Sequence, residues 1–209
     1  MGGVQRKWGA FVRIVRVVEP SDLEALYRFR YLVYVDDLGW LPLNGSGLVT
    51  DEFDSVAHNY AALDECGAVV GGVRVVPDSA LGLPLERCSP LDGFRAGKTL
   101  VEICRLAVLR DCTSPRLAGL LMKAGLGCAL RIGASHVLLD VATEAEPVRL
   151  YQRTGFAQLG GEYIDTFHLG QMRSVTMCEA VEDFHGVWSQ ENPSLYRFFT
   201  EADERVVHG

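Results

Sequence analysis

The chain has 209 residues, 48% of them hydrophobic, and a formal net charge of −7. The length suits one large domain, or a domain with an extension, and the apolar share builds a full core without staples. The acidic balance excludes a general nucleic-acid binder, which needs a basic excess to neutralise phosphates.

Six cysteines are scattered: Cys66, Cys88, Cys104, Cys112, Cys128 and Cys178. None forms a C-x-x-C pair and no His-x-x-x-His stands near them, so no metal centre is expected. Cys104 and Cys128 fall on apolar faces and read as small core hydrophobes. The even count permits disulfides, but the first residues, MGGVQRKWGAF, lack an apolar signal core, and Arg6 breaks the myristoylation pattern. No apolar run reaches bilayer length, so no membrane span is expected and a reducing cytoplasm is the expected compartment.

In chain order, FVRIVRVV (11–18) alternates apolar and basic residues, as a half-buried strand does. Ser21 and Glu24 form an S-x-x-E capping box that predicts a helix start, with Leu23, Leu26, Tyr27, Arg30 and Tyr34 at helical spacing and an end by Gly39. LPLNGSGLVT (41–50) is a loop. The charged DEFD (51–54) precedes a hairpin, strands 58–63 and 68–76 around Glu65-Cys66-Gly67, which Pro77 ends. Residues 78–98 are loop with a short helix near 85–88. A central strand, 99–108, leads to a helix with Pro115 in its first turn, apolar at Leu117, Leu120, Leu121, Ala124 and Cys128 and ended by Gly133. HVLLDVA (136–142) is a strand buried on both faces. Thr143 with Glu146 caps a further helix carrying Leu150 and Tyr151 and ended by Gly155, and two strands around a turn run to about Cys178. The remainder is a polar helical tail with aromatic interruptions. Strands alternating with helices predict an α/β fold, a mixed sheet covered on both faces, with residues 1–179 as one domain and 180–209 as an extension packed on it.

The central strand, TLVEICRLAV, holds Glu102 and Arg105 inside an apolar run. A buried charge costs several kcal/mol unless it is paired or used. Arg30 and Arg74 also stand in apolar segments, and Asp51, Asp54 and Glu102 can neutralise the three arginines. Such a network either fixes the fold or serves chemistry. For Glu102 the expectation is chemistry, because a desolvated carboxylate has a raised pKa and suits a general base. Glu102 and Arg105 are three apart, so a regular strand sends them to opposite faces; they share a site only across a bulge.

The strand order, with LYQRTGF (150–156) after HVLLDVA, resembles the GNAT acyltransferase superfamily. Arg30, Tyr34 and Trp40, then Asp51 and Asp54, then Arg74 in GGVRVVP, then Glu102 and Arg105 in VEICRLAV, resemble the signature of LuxI-type acyl-homoserine lactone synthases and the related N-acyl amino acid synthases. Tyr34 departs from it, standing where the lactone synthases usually have Phe. The resemblance implies a GNAT-like, mostly antiparallel sheet and aminolysis of a thioester. Glu102 would accept the amine's proton, with Arg105 beside it. Arg30, Tyr34, Trp40, Asp51, Asp54 and Arg74 would build the substrate side. A backbone N–H of Leu106, Ala107 or Val108 would hold the oxyanion. Tyr151 matches the GNAT tyrosine that protonates the departing thiolate; its alternative is a core aromatic.

CoA-using members carry a glycine-rich pyrophosphate cradle before the helix that follows the central strand. Here that stretch, RDCTSPRLAGLL, has one glycine, Gly119. The expected donor is therefore the acyl-phosphopantetheine of acyl carrier protein, with acyl-CoA second, and no resident cofactor is expected. Arg110, Arg116, Lys123 and Arg131 are the candidate docking patch for that acidic partner, or else a solvated helix face. The first functional reading is an N-acyl amino acid synthase. The second is a lactone synthase acylating S-adenosylmethionine, which would bring a quorum-sensing role, and the third a non-catalytic acyl-binding module.

Overall fold

A computed structural model describes residues 12–112, 115–143, 148, 151–152, 154–167 and 170–207. Its elements run β1 (Arg13–Val17), α1 (Pro20–Tyr31), β2 (His58–Leu63), β3 (Val69–Pro77), β4 (Leu100–Val108), α2 (Pro115–Arg131), β5 (His136–Ala142), β6 (Ala157–Asp165), β7 (Met172–Ala180), α3 (Pro193–Thr200) and β8 (Val206–Val207). All eight strands join one sheet in the order β6-β7-β5-β4-β3-β2-β1-β8. Among the described residues only the β4–β5 and β1–β8 pairs are parallel. The fold is the expected GNAT-like mixed sheet with helices on both faces.

The glycine pair of β3 explains how the two faces are covered at one level. A Cβ on Gly72 would strike Leu26 of α1, while one on Gly71 would crowd Leu121 of α2. Two neighbouring glycines thus let one helix press on each face of the same strand. Beneath α2 lies the larger core, which takes Val73, Val101, Ile103, Leu139, Val141 and Met177 from the sheet. The α1 face is more polar and carries the site.

β4 is bonded to β3 along most of its length but to β5 for three residues, Leu100↔His136, Val101↔Val137 and Glu102↔Leu138. β5 in turn follows β7 from His136↔Ala180 to Ala142↔Ser174. Beyond Glu102 the sheet therefore parts into two halves. The β3–β4 ladder also slips: Gly72 faces Ala107 and Arg74 faces Cys104, so Val73 stands opposite two residues. Arg105 sits in that bulge at φ 53°. The left-handed region strains a non-glycine residue by ~1–2 kcal/mol. The bulge resets the alternation and supplies the condition under which Glu102 and Arg105 share a face.

Several expectations change. α1 starts at Pro20 with Glu19 as its cap residue, and no side chain caps it, so the Ser21–Glu24 capping box is not used. Pro20 presets the first helical φ and its missing N–H costs nothing there. The helix then runs on through a π-helical turn, Leu32–Asp37, to Gly39 at φ 64°. The C-terminal segment is helical through Val181–Asp183, Phe184–Trp188, Ser189–Glu191 and α3, but it also returns β8 to pair with β1. Phe11, Ser114, Glu146, Leu150 and Arg153 lie outside the described residues. All six cysteines are free thiols.

Lys123, expected on an outward docking face, is buried. Its ammonium donates to the carbonyls of Phe198 and Glu201, the latter at 2.6 Å, and lies 5.1 Å from the Phe198 ring centre. A cation there satisfies carbonyls at the end of α3, which no following turn can reach. Lys123→Met should cost about 2–3 kcal/mol, since two carbonyls at the end of α3 lose charge-assisted bonds. A melting curve should show it as a Tm lower by about 5 °C or more.

Candidate active site

Glu102 is wholly buried on the α1 face, at the last rung where β4 still pairs with β5. Its Oε2 accepts the Leu85 backbone N–H at 2.8 Å, and its Oε1 has no partner among the described residues. Leu85 belongs to the short helical turn Pro84–Arg87, so the loop 78–98 supplies a backbone donor that orients the acid. Burial pushes the carboxyl up to about 8, against the pull of the Leu85 N–H and of Arg74. Among the described residues no ion pair holds Glu102.

Beside it the guanidiniums gather. The turn Glu52–Ser55 is closed by its own carboxylates: Asp51 Oδ1 accepts the Phe53 N–H and Asp54 Oδ2 the Asp51 N–H, each at 3.0 Å. This capping box leaves both side chains aimed at the sheet. Arg74 donates to Asp51 at 2.7 Å, stands 3.2 Å from Asp54, and its Nε meets the Cys104 sulfur at 3.4 Å. Arg30 donates to Asp54 at 2.8 Å and to Asn59 Oδ1 at 2.5 Å. Arg105 reaches Asp51 at 3.4 Å and lies over the Tyr34 ring, 5.3 Å from its centre. Thus Asp51 ties the bulge to β3, and the network shares a sheet face with Glu102 without binding it.

Each charge records its surroundings. Burial lowers Arg30, with Arg74 adding to the effect and Asp54 opposing it. Burial also works against the charge of Arg74, yet Cys104 and Asp51 carry it well above its ordinary value. Burial alone would raise Asp54; Arg30 and Arg74 hold it below the usual range instead. Tyr34 is raised, chiefly by burial.

The sequence-predicted residues divide. Arg30, Tyr34, Asp51, Asp54, Arg74 and Arg105 meet in this one cluster. Trp40 joins through Tyr34, with ring centres 6.1 Å apart and its N–H on the Tyr34 carbonyl at 2.9 Å. Leu106, Ala107 and Val108 continue β4 past the bulge, where the edge toward β5 has left the ladder. Tyr151 is helical, packs with Phe156 against the core beneath α2, and is pushed up to about 12 by burial. It therefore lies on the other face from Glu102, across the parting of β4 and β5. Arg110 and Arg116 are exposed near the start of α2, whereas Arg131 stands at its far end and donates to the Tyr60 hydroxyl. With Lys123 buried, the four cations do not make one patch.

Sequence reasoning missed Asn59, the Leu85 N–H and a second polar cluster on the same face. There Asp140 of β5 accepts from the Tyr163 hydroxyl at 2.8 Å and shares a hydrogen bond with Asp165, and Thr176 of β7 donates to Tyr163 at 3.4 Å. Burial, then Asp165, raise Asp140 far above its ordinary range. Its signal was present: Asp140 interrupts the apolar HVLLDVA as Glu102 interrupts VEICRLAV.

Known proteins resemble this chain in sequence and shape. The sequence profile of the family described as N-acyl amino acid synthase FeeM matches residues 25–171. Over 98 residues the chain is 32% identical to an acyl-homoserine-lactone synthase of Vibrio anguillarum, covering 45% of this chain and 51% of that protein. The chain thus spans about half the length of this curated relative. Among solved structures, FeeM, an N-acyl amino acid synthase from uncultured soil microbes, superposes with a TM-score of 0.67 at 19% identity, over 83% of this chain and 92% of that one. BjaI, a CoA-dependent acyl-homoserine lactone synthase bound to SAM and isopentyl-CoA, gives 0.67 at 18% identity over 95% and 94%. An acyl-CoA N-acyltransferase from Pseudomonas aeruginosa gives 0.54 at 19% identity over 81% and 99%. At such identities the structural likeness speaks for the fold, and the family rests on the profile. That profile spans more than two thirds of the chain, and with it the chain belongs to the FeeM family of N-acyl amino acid synthases.

Proposed function

We propose that this protein moves a long-chain acyl group from acyl carrier protein to the α-amine of an amino acid. The observation that carries the reading is Glu102: a buried acid held by one backbone N–H, with its second oxygen unengaged, at the point where the sheet parts. An α-amine arrives as an ammonium and must lose a proton before it can attack. Glu102 takes that proton. The amine nitrogen bonds to the thioester carbon, and the oxyanion rests on a backbone N–H of the stretch from Leu106 to Val108. The C–S bond then breaks, and Tyr151, from the opposite face, supplies the thiolate's proton. A thioester lying in the gap between β4 and β5 meets the base on one side and the acid on the other.

The arginine cluster suits a substrate carboxylate near that base, because planar guanidiniums recognise carboxylates in pairs. The carrier is the acyl carrier protein because the α2 start is a poor pyrophosphate cradle: Gly119 lies inside the helix, and a Cβ there would meet Phe198 at 3.5 Å. Arg110 and Arg116 form the docking edge for that acidic partner. No helix among the described residues is long and apolar enough to cross a membrane, and a carrier-protein donor places the reaction in the cytoplasm. The name of the curated relative favours a second reading, lactone synthesis from S-adenosylmethionine.

Incubation with long-chain acyl carrier protein or acyl-CoA, a pool of amino acids and S-adenosylmethionine, followed by mass analysis, separates the readings. An N-acyl amino acid supports the first, a homoserine lactone the second, and no acyl product removes both. Glu102→Gln should keep the fold and lower kcat by about 100-fold or more; unchanged turnover would remove the base assignment. The base works deprotonated, and its carboxyl stands at about 8. Activity should therefore rise with pH toward and through that value, and a profile flat from pH 6 to 9 would contradict it. Arg110→Glu with Arg116→Glu should raise the KM for acyl carrier protein with kcat unchanged, an effect that fades with salt.

A further inference from the structure

The proton balance of the proposed acyl transfer, on which this inference rests, leaves Glu102 with a difficulty. A thioester and an ammonium give an amide, a thiol and one free proton. The N–C bond forms and the C–S bond breaks. One nitrogen-bound proton replaces the one that Tyr151 gives to the thiolate. The other goes to Glu102, which must shed it before the next cycle. Yet Glu102 is fully buried. The Leu85 N–H beside it is a donor, Arg74 is a cation, and the Cys104 thiol is pushed up to about 12 by burial. None of these accepts a proton.

An acceptor lies on the next strand. Leu138 pairs with Glu102, and Asp140 is two residues further along β5, on the same face. Asp140 lies two residues, ~7 Å of strand, past the last β4–β5 rung, and the two carboxyls lie near enough for Glu102 to raise Asp140, a separation that water can bridge. Asp140 and Tyr163, which holds it, are each partly exposed, unlike Glu102. Glu102 also senses this group: Asp165 raises Glu102, and Glu102 raises both Asp140 and Tyr163. Among the described residues, the titratable groups facing Asp140 are Glu102 from β4 and Tyr163 and Asp165 from β6.

We propose that Asp140 is the proton outlet of Glu102, taking the proton left by each acylated amine and passing it to solvent, with Tyr163 and Asp165 as positioning residues. Burial and Asp165 push Asp140 up to about 8, so the relay runs above that pH: Glu102 regains its charge, Asp140 is transiently protonated, and water removes the proton.

The test compares one turnover with many. Wild type and Asp140→Asn are mixed with acyl carrier protein and amine at a pH just above about 8, where Glu102 starts ionised. Asp140→Asn should match the wild-type first turnover, with enzyme in excess, within about twofold. Its steady-state kcat should fall by about tenfold or more with KM unchanged, and imidazole, a small diffusible base, should restore it. An unchanged kcat overturns the proposal. So does an equal loss in both regimes that imidazole leaves in place, which marks a structural residue. Should Asp140→Asn fail to melt cooperatively, Tyr163→Phe carries the test, with a smaller fall confined to steady state. A wild type that acylates no amine from either donor sinks the acyl-transfer reading itself, whereas an active wild type with an indifferent Asp140→Asn sinks only the outlet.

Discussion

β4 cannot pair fully with both of its neighbours, and the rest of the molecule depends on that constraint. On one side it is stitched to β3 nearly end to end; on the other it leaves β5 after Glu102. β5 follows β7 instead, so the sheet is two ladders joined by three rungs. The parting leaves the β4 edge beyond Glu102 outside the β5 ladder, with the buried acid at the last rung.

The bulge at Arg105 serves that geometry. Its left-handed φ strains the backbone, and the ion pair to Asp51 together with the Tyr34 ring holds the guanidinium in place. Asp51 also holds Arg74, and Arg74 links to Asp54, which holds Arg30. A helix, a turn and two strands are thereby joined through alternating charges in a medium where any one left unpaired is costly. Glu102 lies next to this network but outside it. Its raised pKa follows from that exclusion, since desolvation acts on it without an ion pair to compensate.

The two faces divide the labour. The face under α2 is apolar and fixes the sheet, and Tyr151 packs there. The face under α1 carries Glu102, the arginine network and the Asp140 cluster. A Cβ on Gly170, just before β7, would overlap the Trp40 carbonyl, so the loop after α1 packs directly against that residue. The C-terminal segment is anchored by Lys123 to α2 and by β8 to β1, which makes it part of the same sheet and core.

Much of this was legible in the sequence. Alternation, apolar runs and turn residues located β1 to β5 within about two residues, because strands that face a core must carry apolar side chains, whereas β8 fell in what read as a helical tail; charges inside apolar runs marked Arg30, Arg74, Glu102 and Arg105, because such charges are costly to keep. The same rule would have marked Asp140. Other features were not local. Pro20 outcompeted the Ser21 box at the helix start, and Lys123 turned inward because unsatisfied carbonyls of a distant helix end lay beneath it. The sequence by itself determined which residues had to be inside, and hence the elements and the roster of buried charges. Only the tertiary structure decided which charges met. Pairing depends on register, and one extra residue in β4, invisible to any periodicity, moved Arg105 to the face of Glu102 while the early end of the β4–β5 ladder left that acid unpaired.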